Sequence, residues 1–250
     1  MRLTLWQPHL PPSPAAVGPA CANVRMMNAL IGWWQRRSAG KGRLDGHRAA
    51  DALIATLSAR DPVTGEHVNR VACIATEIAI IDGMDEAAIL PVEIGARLHD
   101  VGKLGIPDSI LKKPSRLTDG EWTVMRRHPE IGGELLRSIP ALAHVASTVA
   151  AHHERWDGDG YPFGLRANAI PLEARIFALA DSIDAMTSDR PYEAKRDWDY
   201  VHSELVAGAG SQWDPRLTSV VLGALGRIEQ LEIGCPHGVR EGREDVVPTD

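Results

Sequence analysis

The chain has 250 residues, 27 Lys and Arg against 33 Asp and Glu, a net charge of −6, and 44% hydrophobic residues. Such a composition belongs to a globular protein of one or two domains and excludes a disordered or collagen-like chain. The acidic balance leaves no electrostatic footprint for duplex nucleic acid, although a local basic pocket for a small anion remains open.

In chain order, residues 1–44 stand apart. Pro8, Pro11, Pro12 and Pro14 occupy the place where a secretion signal needs an apolar core. Residues 26–34 form an apolar stretch broken by Asn28 and Gly32 and closed by Arg36 and Arg37, too short for a transmembrane segment. It reads as a short helix packed on the main domain, or as an interfacial or partner-docking segment. Gly40-Lys41-Gly42-Arg43 reads as a linker. Cys21, Cys73 and Cys235 show no C-x-x-C spacing, which argues against a disulfide framework and a zinc ribbon. We expect a cytoplasmic protein.

From residue 45 the pattern is helical. Ala49, Ala50, Leu53, Ile54 and Leu57 predict a helix over 45–59. Residues 61–65 read as a turn, 68–81 as a helix closed near Asp82-Gly83, and 87–98 as a third helix with Pro91 near its start. Residues 102–107 break the pattern. Thr118-x-x-Glu121 is a capping box opening a helix toward Arg127, and Pro129 forces a boundary. Helices are expected over 131–137, 141–155, 172–187 and 215–228, with a Gly- and Asp-rich loop at 157–164. No stretch alternates like a strand. The expected fold is all-α, a bundle of roughly seven to nine helices over 45–228, followed by a polar tail at 229–250.

Ten histidines are present. His67, His99, His128, His152 and His153 fall in otherwise apolar helical stretches, with Asp100 beside His99 and Asp181 within 172–187. A lone buried histidine is usually a satisfied core residue, and we assign His9, His47, His144, His202 and His237 that role. Several helices each supplying an imidazole or carboxylate is a different matter, because burying so many polar groups unpaired costs several kcal/mol apiece. Cations remove that cost, since neutral imidazole and ionised carboxylate are natural ligands. The set His67, His99, Asp100, His128, His152, His153 and Asp181 is too large for one tetrahedral zinc and suits two divalent ions sharing ligands. On a helix, neighbours such as His152 and His153 point about 100° apart, which also favours two ions. Imidazole and carboxylate without thiolate favour iron or manganese. Paired ions suggest phosphoester hydrolysis by a metal-bridging hydroxide. Lys103, one turn past His99, is placed to hold a phosphate oxygen or assist the nucleophile; the alternative is an ion pair with Asp100 or a surface position.

The motifs His99-Asp100-Val101-Gly102-Lys103, Gly105-Ile106-Pro107-Asp108, His128-Pro129-Glu130-Ile131-Gly132, the run from His152-His153-Glu154 to Gly160-Tyr161-Pro162, and Asp189-Arg190-Pro191-Tyr192 after Asp181 resemble those of HD-GYP phosphodiesterases, an HD-superfamily group. The resemblance spans about 45–226. It implies a helical bundle that hydrolyses cyclic di-GMP to pGpG or GMP in bacterial signalling, with the seven residues above as metal ligands and Asp100 and Lys103 in catalysis. It implies substrate contacts by Lys103, Arg190, Tyr161 and Tyr192, and a 160–162 loop that shapes the entrance or meets GGDEF-type cyclases. Where some members carry a third-metal Glu four residues before the first His, this chain has Val63, so two ions are expected. Glu193 stands where the family carries a basic residue. The competing readings are a dinucleotide sensor or docking module with poor turnover, and a phosphodiesterase for another cyclic dinucleotide.

Overall fold

A computed structural model describes residues 41–188 and 195–232. Helices α1 (Lys41–Arg60), α2 (Pro62–Ile81) and α3 (Glu86–Leu98) come first, followed by a 3-10 segment, Val101–Gly105. Next are α4 (Asp108–Leu111), α5 (Asp119–Met125), α6 (His128–Arg137) and α7 (Ala146–Ala150). The last four are α8 (Leu172–Thr187), α9 (Trp198–Gly208), α10 (Pro215–Gly223) and α11 (Leu225–Glu232). Nine of these have seven residues or more, at the upper end of the expected number, and no strand occurs among the described residues. The fold is an all-α bundle. No described helix is long and apolar enough to cross a membrane.

Two apolar clusters share α2 and α3. Ile74, Ile78, Val92, Phe177, Leu179, Ile183, Leu205 and Leu217 form one, joining α8 to the C-terminal helices. Ala50, Ile54, Val68, Ile94, Leu98, Leu136 and Val149 form the other, joining α1, α6 and α7. Ion pairs Arg216–Asp82 and Arg227–Glu77 tie α10 and α11 to α2 and its C-terminal end. The candidate site lies where elements of both clusters meet.

Several boundaries differ from the sequence reading. The expected turn at 61–65 shrinks to Asp61, because Pro62 opens α2, where a missing N–H costs nothing. Residues 41–43 are helical rather than a linker. The expected helix 141–155 is a 3-10 turn, Ala143–Val145, then α7, which stops at Ala150. The 215–228 helix breaks at Ala224, and α11 continues past 228 to Glu232. Helix α9 was not anticipated. It buries only Val201 and Leu205 fully, too few to set a period, and Asp197 caps it by accepting the amide of Tyr200. The capping box is present as expected, with Thr118 and Glu121 each accepting the other's backbone amide. Residues 26–34 lie outside the described residues.

Gly102 sets the approach of the 3-10 segment to α6. A Cβ there would overlap the carbonyl oxygen of His128 and the amide nitrogen of Gly132, both backbone atoms that cannot swing aside. Gly102→Ala is expected to destabilise the fold by about 3 kcal/mol or more, read as a fall in the urea midpoint.

Candidate metal centre

Three helices, α3, α5 and α7, end at the site, and one to three residues past the end of each stands a histidine, His128 being also the first residue of α6. His99 follows α3, His128 stands three residues after Met125 at the end of α5, and His152 lies just past α7. Each Nδ1 donates to a carbonyl three residues back: His99 to Ala96 at 2.7 Å, His128 to Met125 at 2.8 Å, His152 to Val149 at 2.6 Å. These carbonyls belong to last turns, where helical partners run out. A carbonyl only accepts, so Nδ1 carries the proton and each Nε2 presents a lone pair to the interior.

Asp100 connects what these rings form. Its Oδ1 lies 3.3 Å from His128 Nε2, while its Oδ2 lies 3.5 Å from His99 Nε2 and 3.9 Å from His67 Nε2. The ligand atoms fall into two groups, His67–His99–Asp100 and His128–His152–His153, with all atoms within 4.8 Å in each. Asp181 joins the first group, its Oδ1 3.3 Å from His67 Nε2. The seven residues singled out from sequence thus converge. His152 and His153 share one group, contrary to the helical argument, because α7 ends before them and the turn lets their rings approach to 4.0 Å.

Lys103 is buried at 1% exposure, with its Nζ 2.6 Å from Asp100 Oδ2. The ion-pair alternative is therefore present. Arg60 holds the backbone around it, donating to the carbonyls of Lys103, Leu104 and Ile106 and pairing with Asp108.

Asp184 was missed. It is buried one turn after Asp181 and accepts from His67 Nδ1 at 2.7 Å and from Arg70 Nε at 2.6 Å. It does for His67 what carbonyls do for the other rings, aiming Nε2 inward. The i, i+3 spacing from Asp181 was the available signal. Glu154 follows His152-His153 directly in sequence, and its type alone gave no role. Its buried carboxylate accepts the amides of Phe163 at 2.7 Å and Leu165 at 2.9 Å, fixing the loop beside His153. That loop stacks Tyr161 on His153, ring centres 4.9 Å apart. His153, Tyr161 and Asp181 are only half-buried and form the open side. Arg190, Tyr192 and Glu193 lie outside the described residues.

Burial lowers His128 to about 3 and His153 to about 4, despite nearby carboxylates, and lowers His152 well below the imidazole range. Burial also opposes the charge on His67, but Asp181 and Asp184 override it and raise that ring to about 9. Burial disfavours ionised Asp100, yet Lys103 and the surrounding imidazoles hold it well below the usual carboxylate range. His128, His152 and His153 are therefore neutral beside ionised carboxylates, whereas His67 holds a second proton that a cation at its Nε2 would displace. The facing Nε2 atoms of His128 and His152 are 3.3 Å apart. With both Nδ1 protons committed to carbonyls, no proton lies between them, and two buried lone pairs confront each other. A divalent cation relieves that contact, so the residues present fit metal ions.

Residues 51–217 match the family model described as HD domain, and the chain belongs to that family. RpfG of Xanthomonas campestris, named a cyclic di-GMP phosphodiesterase response regulator, is 42% identical over 72% of this chain and 48% of its own length. A Vibrio cholerae protein named 3'3'-cGAMP-specific phosphodiesterase 2 is 41% identical over 68% of this chain and 33% of its own. The chain thus spans between a third and a half of these relatives. Among solved structures, a cyclic GMP-AMP phosphodiesterase of V. cholerae has a TM-score of 0.55 at 19% identity, covering 75% of this chain and 54% of that one. The PgpH HD domain of Listeria monocytogenes, in complex with cyclic di-AMP, has a TM-score of 0.54 at 17% identity, covering 76% of this chain and all of that one. These two likenesses establish the fold.

Proposed function

We propose that the domain is a dinuclear-metal phosphodiesterase for cyclic dinucleotides, with cyclic di-GMP as substrate and pGpG or GMP as product. The observation that carries this reading is Asp100, whose two oxygens address two separate groups of imidazoles. His67, His99 and Asp181 would hold one ion, and His128, His152 and His153 the other, with Asp100 between them. The donor set, without thiolate, suits iron or manganese. Such ions supply an activated water and positive charge beside the scissile phosphate. The names of relatives at 41–42% identity support the substrate class and leave 3'3'-cGAMP as a second candidate.

The chain's own residues set the geometry. Asp184 and the three carbonyl acceptors keep the imidazoles aimed at the ions. Lys103 fixes Asp100 Oδ2, and an ammonium with three donors can also serve an oxygen of the bound phosphate. Arg190, Tyr161 and Tyr192 are assigned to the substrate from the resemblance. The domain division at 45–228, with flanking segments 1–44 and 229–250, and a cytoplasmic location belong to this proposal. A GGDEF-type partner at the loop would meet Phe163, which is 55% exposed. The complete ligand set speaks against a sensor that has lost turnover.

The test is metal analysis of anaerobically purified protein together with product analysis on cyclic di-GMP and 3'3'-cGAMP. Two ions per chain and cleavage are expected. A protein that carries both ions and cuts neither dinucleotide overturns the reading. Lys103→Ala is expected to retain both ions while kcat falls about a hundredfold. Loss of metal in this variant would confine Lys103 to orienting Asp100.

A further inference from the structure

We propose that Arg126 is a phosphate-binding residue at the mouth of the centre, serving the phosphate of a cyclic dinucleotide that is not being cut. The inference rests on the phosphodiesterase reading above and deepens it.

Arg126 caps the C-terminus of α5, two residues before His128. Its guanidinium carbon lies 5.4 Å from the centre of the Tyr161 ring, which stacks on His153 at 4.9 Å, which in turn contacts His152 at 4.0 Å. A column of rings therefore leads from the candidate centre to an exposed cation. Among the described residues, Arg126 has no ion pair or side-chain hydrogen bond; the ring contact is what holds its head. A guanidinium resting on a ring still presents N–H groups in the fork that matches two phosphate oxygens. The loop carrying Tyr161 is itself fixed by Glu154, so this cation is held ready on a braced support.

The substrate class supplies the need. A cyclic dinucleotide has two phosphodiesters, and when one sits at the metals the other remains charged and outside them. A substrate with one phosphate makes no such demand, which separates Arg126 from groups that act on the scissile phosphate.

The experiment compares metal-loaded wild type, Arg126→Ala, Arg126→Lys and Arg137→Ala. Arg137 is an exposed arginine at the far end of α6, about 13 Å along the axis from His128, and controls for net charge. Metal content, calorimetric binding of cyclic di-GMP, and kcat and KM on cyclic di-GMP and on bis(p-nitrophenyl) phosphate are measured. Arg126→Ala is expected to keep both ions, weaken cyclic di-GMP binding and raise its KM about tenfold, and lose much less on the small diester. Arg126→Lys recovers part of the loss, and Arg137→Ala matches wild type. Equal dinucleotide binding by wild type and Arg126→Ala overturns the proposal, as does an equal loss on both substrates or a loss of metal. Wild type that carries both ions yet neither binds nor cleaves cyclic di-GMP fails on the functional reading, and this inference falls with it.

Discussion

Asp100→Ala is expected to release both ions and to reduce hydrolysis of cyclic di-GMP by more than about a thousandfold. One side chain has this reach because its two oxygens serve different groups, so its removal leaves each group a ligand short. A second effect accompanies it. The Lys103 ammonium, buried at 1% exposure, loses the carboxylate 2.6 Å away. Leaving a buried charge without its counter-ion costs about 3–5 kcal/mol, so the variant also melts earlier. Asp100→Asn separates the effects. It keeps the volume and an acceptor for the ammonium while removing the charge that two cations require. Metal analysis and thermal unfolding on both variants check the account. Retention of two ions per chain by Asp100→Asn would show that Asp100 does not join the groups.

The second large effect is expected at Asp184, which touches no group of the reaction. Asp184→Ala removes the acceptor of the His67 Nδ1 proton and the bidentate partner of Arg70. His67 can then rotate or change tautomer, and affinity for one ion falls about 10- to 100-fold. Competition with a chelator should show one weakened and one unchanged metal affinity, because in the His128–His152–His153 group His128 and His152 take their aim from carbonyls and none of the three bonds Asp184. Asp184→Asn retains an acceptor and should fall between. A uniform loss at both positions would point instead to general loosening between α2 and α8.

How far this was legible in the sequence depends on what carries each feature. The converging histidines were visible because polar titratable groups recur in apolar helical stretches. The capping box was visible because both partners lie within one turn. Other features depend on tertiary contacts that spacing does not encode. Pro62 looked like a turn signal, although at a first helical position it is compatible with α2. The end of α7 before His152 was hidden because the ring itself takes the Val149 carbonyl. Asp184 looked like an ordinary helical carboxylate until the fold brought His67 and Arg70, more than a hundred residues away, onto its oxygens. Arg126 sat in a short basic run of the kind that usually faces solvent, and only the returning loop gave it a ring to lie on.

The same imidazoles that would grip the ions also finish three helices, and this dual duty constrains how the protein can change. Exchanging His99, His128 or His152 for an apolar side chain forfeits chemistry and unties a helix end together. A replacement that spares the architecture must bring its own donor to the waiting carbonyl. Inactivation without unfolding is thus a narrow route here, open to side chains such as Asn or Gln and closed to most others.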